Sequence, residues 1–169
     1  RSLALINFRS FEVEAALEFA PGDRGTLVAH GDQGGGYALY VVEDRLQLAW
    51  NGYGTMTEVD GGPLAPGTTS VVLVVENVGN LTVHVELRAD GSSVAAHRDL
   101  PVLTAMAPFQ GIDVGIDRKS PVSWSIRERF GTFPWTGTLH HVTYRPGEPA
   151  PDAGAQWLDV LREAGTRYE

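Results

Sequence analysis

The sequence predicts an all-β protein, an antiparallel two-sheet β-sandwich of about ten or more strands with a short C-terminal α-helix. Three observations carry this. Residues 11–19, FEVEAALEF, alternate: Phe11, Val13, Ala15, Leu17 and Phe19 fall on one face, Glu12, Glu14, Ala16 and Glu18 on the other. That is the period of two of a half-buried strand. Turn residues recur about every 8–12 positions, the spacing of a sandwich. No pattern of helical period separates the strands, so parallel βαβ units are not expected.

The elements follow in order. After the first strand, PGDRG is a turn punctuated by Pro21-Gly22, and TLVAHG is a second short strand. Gly34-Gly35-Gly36 precede GYALYVV, which places Tyr37, Leu39 and Val41 on one face. EDR joins that run to LQLAW as a hairpin. TSVVLVVENV and LTVHVELR flank Gly79-Asn80, a tight-turn pair. ADGSS ends that strand and VAAHRDL begins the next; GIDVGI and TGTLHHVTYR complete the series. The sandwich is thus expected over residues 1–145. A Pro/Gly linker follows over 146–153, and an amphipathic helix over 154–169 carries Trp157, Leu161, Ala164 and Tyr168 at helical spacing. Asp152 is placed to cap that helix.

A chain of 169 residues fits one domain and needs no covalent staple. Thirteen Lys and Arg against 21 Asp and Glu give a net charge of −8. Nucleic acid and anionic membrane are therefore not expected as partners, since both need a basic surface. No apolar run reaches the ~20 residues of a membrane helix. There is no cysteine, hence no disulfide or thiol nucleophile. The chain opens RSLALINFRS, without Met or a targeting signal, and reads as a soluble piece of a longer protein.

The glycine run invites a phosphate-binding reading, which fails on chemistry. A P-loop needs a Lys after its last glycine, and the only Lys is Lys119. A dinucleotide fingerprint opens a helix, whereas Tyr-Ala-Leu-Tyr follows here. Glycines between strands mark a bend or a close backbone approach; the functional alternative is a ligand lying over the loop on Asp32 and Gln33. His30, His84, His97, His140 and His141 lack any recognised metal spacing. His140 and His141, adjacent on a strand, are expected to face opposite sides. Neither G-x-S-x-G nor a paired-carboxylate strand is present; Glu12, Glu14 and Glu18 read as a solvated edge. In GIDVGIDRKSPVSW, Asp113, Asp117 and Ser120 offer oxygens that a cation or ligand could take. Calcium is the cofactor such a loop would hold; no metal ligand set is assigned. The structural alternative has Asp117 bonding backbone amides of its own loop. Trp50, Tyr53, Trp124 and Trp135 serve as core or as a sugar-stacking platform. Asn80–Thr82 matches a glycosylation acceptor overlapping a tight turn.

Taken in order, RSFEVEAALEF, GTLVAHGDQGGGYALYVVEDRLQLAWN, TTSVVLVVEN, LTVHVELRADG, GIDVGIDRKSPVS and PWTGTLHHVTYRPG resemble the C-terminal region of large bacterial arylsulfatases of the formylglycine type. The resemblance spans residues 8–145 and implies a concanavalin A-like jelly roll. It places formylglycine and a divalent metal in a separate N-terminal catalytic domain. Formylglycine is made from Cys or Ser in C/S-x-P-x-R. Here Ser120 is followed directly by Pro121, and Ser123 by Trp124, so this chain carries no catalytic residue of that chemistry. AWNGYG departs from the family's aromatic-rich strand end, and the tail helix has no counterpart in the pattern.

The resemblance implies a non-catalytic accessory domain of an arylsulfatase-like hydrolase, packed on the parent's catalytic domain or aiding a homo-oligomer. The alternative is a carbohydrate- or ligand-binding lectin-like module, motivated by the tryptophans and the Asp113/Asp117 loop. A stand-alone sandwich glycosidase would need the paired carboxylates that are missing.

Overall fold

The computed structural model describes residues 6–103 and 110–166. In chain order the strands are β1 (Arg9–Glu18), β2 (Gly25–Asp32), β3 (Gly35–Val42), β4 (Arg45–Gly52), β5 (Thr55–Pro63), β6 (Ser70–Gly79), β7 (Thr82–Ala89), β8 (Ser92–Pro101), β9 (Ile112–Val114) and β10 (Thr138–Pro149). Helix α1 (Trp124–Phe130) precedes β10, and α2 (Ala153–Thr166) follows it. They form two five-stranded sheets, a front sheet in the order β10-β1-β6-β7-β8 and a back sheet in the order β5-β4-β3-β2-β9. Strand neighbours in both sheets pair antiparallel.

Alternation decides which side chains enter the core. Val13, Ala15 and Leu17 of β1 meet Val71, Leu73 and Val75 of β6 and Val85 and Leu87 of β7 on the inner face. Tyr37, Leu39 and Val41 of β3 and Leu46, Leu48 and Trp50 of β4 close the core from the back sheet. Four hairpins turn on residue pairs with φ between +45° and +95°: Glu43-Asp44, Tyr53-Gly54, Asn80-Leu81 and Asp90-Gly91. Such mirror-image turns match the right-handed twist of the strands they join. The Gly79-Asn80 reading is one residue early, since Gly79 pairs with Thr82 and Asn80-Leu81 form the bend.

Several expectations need correction. β5 escaped the strand reading because an edge strand leaves Thr55, Met56, Glu58 and Asp60 exposed, and its alternation is blurred. Glu12, Glu14 and Glu18 do not lie on an edge: β1 sits between β10 and β6. Their carboxylates line the outer face of the front sheet, where Glu14 accepts from Arg145 and Ser70. His140 and His141 do not oppose each other either. A register shift opposite Ala16/Leu17 inserts a bulge, which re-aims one of the two side chains. His140 bonds Glu18 at 3.1 Å, and His141 lies close enough to Glu14 to favour its charged form.

β10 continues through Pro149, with Pro146 opposite Phe11 and Pro149 opposite Arg9, so the first half of the expected linker is paired strand. The helix folds back on its own sandwich. Asp152 accepts from the Asn80 amide and the Gln156 side chain rather than from helix amides. Gln156 is buried beside Asn77, and Trp157 meets Phe8 edge-on at 5.7 Å. The side chains of Leu161 and Ala164, and Tyr168 altogether, lie outside the described residues.

The outer face of the back sheet is covered. Ala29, Ala38 and Ala49 stand in register across β2, β3 and β4. Val122, Ile126 and Phe133, from the segment around α1, pack over this row with Tyr40. Methyl-sized side chains let that segment approach closely, which is why β2 and β3 are buried on both faces. Helix α1 starts at Ser123, whose Oγ accepts from the Ile126 amide, and ends at Gly131 with φ 72°.

Candidate functional site

One end of the sandwich gathers the β2–β3 turn, the β4–β5 turn, the backbone just after β8, and the start of α1. Asn51 ties the two turns to the start of α1. Its Nδ2 donates to the carbonyls of Gln33 and Val122, each at 3.0 Å, and its Oδ1 accepts from the Gly54 amide at 2.8 Å. Asn51 is itself buried, so these bonds form out of water, where leaving one unmade is costly.

Two aromatics open from this frame. Trp124, the first residue of α1, is 55% exposed, and Tyr53, in the β4–β5 turn, is 47% exposed. Each is held by its polar tip. The Trp124 indole N–H donates to Gln33 Oε1 at 2.9 Å, and the Tyr53 hydroxyl donates to the Val102 carbonyl at 3.1 Å. Tethering the tip fixes the ring and leaves apolar surface to solvent. The other two aromatics of the expected platform belong elsewhere. Trp50 is buried, stacked on Tyr37 and bonded to the Pro101 carbonyl. Trp135 packs against the core.

Of the four candidate ligand residues, Asp32 holds the β2–β3 turn at this end, whereas Asp113 lies on β9 opposite Ala29, and Asp117 and Ser120 lie between β9 and α1. Asp32 is buried; its Oδ1 accepts from the Gly34 amide at 2.8 Å and its Oδ2 from the Gln110 amide at 3.2 Å. Asp117 is buried and accepts from the Val122 amide at 3.0 Å. Burial pushes its pKa up to about 6, and neighbouring Asp113 adds to the rise. Asp113 takes the amide and guanidinium of Arg118, at 2.8 Å from Nη2. The Ser120 amide donates to the Gln110 side chain at 2.9 Å, while that side chain donates to the Arg118 carbonyl. No group of three or more His, Asp or Glu side chains among the described residues could hold a metal ion.

The glycines are a matter of backbone clearance. Gly31 of β2 pairs with Gly36 of β3. A Cβ on Gly31 would sit 2.2 Å from the Gly35 carbonyl oxygen, and one on Gly36 would sit 2.3 Å from that of His30. The run lets two strands close tightly under the turn that presents Gln33. Sequence reasoning named Gln33, Tyr53 and Trp124, but burial alone sorts them from Trp50 and Trp135. It missed Asn51, whose role comes from joining its own turn to two segments distant in sequence.

No family model matches the chain, and no curated protein matches it. Solved structures do. The CBM40 domain of the Ruminococcus gnavus IT-sialidase superposes with a TM-score of 0.60 at 11% identity, over 90% of this chain and 83% of that one. The fold is a two-sheet antiparallel β-sandwich of the jelly-roll type. Leech intramolecular trans-sialidase matches with a TM-score of 0.58 at 10% identity, over 90% of this chain and 23% of that one. Mouse laminin α1 domains LG4–5 match with a TM-score of 0.53 at 15% identity, over 85% of this chain and 39% of that one. At such identities the likeness is one of fold. The arylsulfatase resemblance rests on the sequence motifs alone.

Proposed function

We propose that this chain is a carbohydrate-binding β-sandwich module that holds its glycan at the Trp124–Tyr53 end. The observation that carries it is the pair of half-exposed aromatics tethered by their polar tips to one buried frame. A sugar ring presents an apolar, positively polarised C–H face, the complement of the negative face of an aromatic ring. Gln33, and backbone groups of the surrounding turns, supply hydrogen bonds at the rim of that apolar surface. Few polar groups around a mostly apolar contact is the usual composition of a small-molecule site. The R. gnavus CBM40 neighbours, solved with α2,3- and α2,6-sialyllactose, support the class of ligand and suggest where to start.

A printed glycan array probed with the full chain tests this. Reproducible, dose-dependent binding to at least one glycan class is expected. An array that stays blank at the highest workable protein concentration overturns the reading.

A second reading, an accessory domain packed on the catalytic domain of an arylsulfatase-like hydrolase, has one structural observation in its favour. On α2, Trp157 and Leu158 are 45% and 53% exposed and leave apolar surface beside the sandwich. Calorimetry with a separately expressed arylsulfatase-like catalytic domain from the same protein tests it: tight association supports docking, and an absence of heat argues for a tethered module. Neither calcium nor a glycan-cleaving role is needed by either reading.

A further inference from the structure

We propose that the open face of the front sheet carries a second saccharide subsite, a groove over β6, β7 and β8 that takes one sugar residue between Glu76, Glu86, His84 and Arg98. It rests on the glycan-binding reading above, and it concerns a different face of the molecule.

The groove exists because β8 does not follow β7 evenly. Register shifts between Val83 and Val85, and again between Leu87 and Arg88, bend the edge strand away from regular pairing. The hollow holds about 210 Å³, roughly seven waters at the ~30 Å³ each occupies in the liquid. A single pyranose displaces a comparable volume. Val74 and Ala96 flank Glu86 in the cross-strand row and form an apolar floor.

Around that floor the polar groups are sorted into fixed acceptors and available donors. Glu86 is held by Arg88 at 2.6 Å and by Ser93, so its carboxylate is set in place and stays ionised below the usual carboxylate range. His84 accepts the Asp99 amide on Nδ1 at 3.2 Å. In the neutral ring the proton therefore sits on Nε2, and the imidazole offers a donor rather than a metal-binding lone pair. That tautomer argues for a hydroxylated ligand over a metal ion. The Glu76 carboxylate and the Arg98 guanidinium also line the groove and make no hydrogen bond or ion pair among the described residues. One free carboxylate, one free guanidinium, one fixed carboxylate and one imidazole N–H around an apolar floor complement a ring of hydroxyls that both donate and accept. Arg98 could in addition take the carboxylate of an acidic sugar. A nucleic acid or a polyanion would meet Glu76 and Glu86 and be repelled.

The test is a ¹H–¹⁵N correlation NMR titration of the full chain with α2,3-sialyllactose, and with lactose as the neutral probe. The backbone amides of Val74, Glu86 and Ala96 report on the groove, and the indole N–H of Trp124 on the loop end. The groove amides are expected to shift together and saturate along their own binding curve. R98A and E76Q, both at exposed positions that leave the core untouched, should each weaken the groove curve about tenfold and leave the Trp124 curve in place. If the Trp124 signal responds and the groove amides stay still, the second subsite is lost and the loop-end reading stands. If both regions stay still with both sugars, the second subsite is lost, and the glycan array decides the loop-end reading. If the groove amides respond alone, the subsite stands and the loop end is not the site. Groove shifts of equal affinity in R98A, E76Q and the unaltered chain would also overturn the proposal, since the named side chains would then hold nothing.

Discussion

His30 lies inside the sandwich with neither ring nitrogen hydrogen-bonded among the described residues. Tyr37 and Tyr144 meet it edge-on at 5.8 and 6.0 Å, and their hydroxyls bond each other at 2.7 Å across the two sheets. Burial lowers its pKa from 6.5 to about 4. Below pH 6.5 the unfolded chain takes up a proton that the folded chain refuses, until about pH 4. Folding stability from this group is thus present above pH 6.5 and falls by about 3 kcal/mol as the pH drops to 4. H30F should flatten that acid limb in urea titrations run between pH 7 and 4. An unchanged limb would show that other groups set the acid response.

Asp117 runs in the opposite sense. Its folded pKa is raised from 3.8 to about 6, so its proton-bound form favours the folded state. That contribution is complete below pH 3.8 and is lost as the pH rises through 6. The loss is about 3 kcal/mol. D117N keeps an oxygen for the Val122 amide and removes the charge. It should be more stable than the unaltered chain at pH 8, by about 1–3 kcal/mol, and no different at pH 3.5. If instead D117N abolishes glycan binding without changing stability, Asp117 serves the ligand directly.

At the scale of elements, legibility followed solvent contrast. β1, β6 and β7 read clearly because one face is buried and the other wetter, so the side-chain period survives in the sequence. The exposed edge strand β5 did not, having little buried surface to write a pattern. Helix α1 was also invisible, since seven residues make barely two turns and only Ile126 in it is buried. Its partner, the Ala29–Ala38–Ala49 row, is three separate alanines until the strands pair. That row predicts a sensitive spot. A38L would push isobutyl volume under α1 and should cost about 1–3 kcal/mol in a denaturant titration. Because α1 begins at Trp124, the same variant should weaken glycan binding. A stable A38L chain with unaltered affinity would mean that α1 does not position the site. The candidate site was half legible for a related reason: aromatic residues are visible in sequence, but which are swallowed by the core depends on both sheets.

At the scale of the whole molecule, the sandwich presents three distinct surfaces. One end carries the tethered aromatics, the front sheet carries the polar groove, and α2 closes the side near Phe8. No helix among the described residues is long and apolar enough to cross a membrane. The docking of α2 through Asp152, Gln156 and Trp157 should be worth little on its own, because Trp157 remains half-exposed. W157A is expected to lower the melting temperature by about 2–6 °C, corresponding to about 1–2 kcal/mol. A fall beyond about 10 °C would make α2 part of the core.

The most direct measurement is a calorimetric titration of the unaltered chain and of W124A with the strongest glycan found on the array. Trp124 is exposed, so its removal should leave the fold intact, and the melting temperature checks that. A glycan stacked on Trp124 requires at least a tenfold weaker Kd for W124A, about 1.4 kcal/mol, with an unchanged melting temperature. Equal affinity in the two chains would contradict a glycan site at this end of the sandwich.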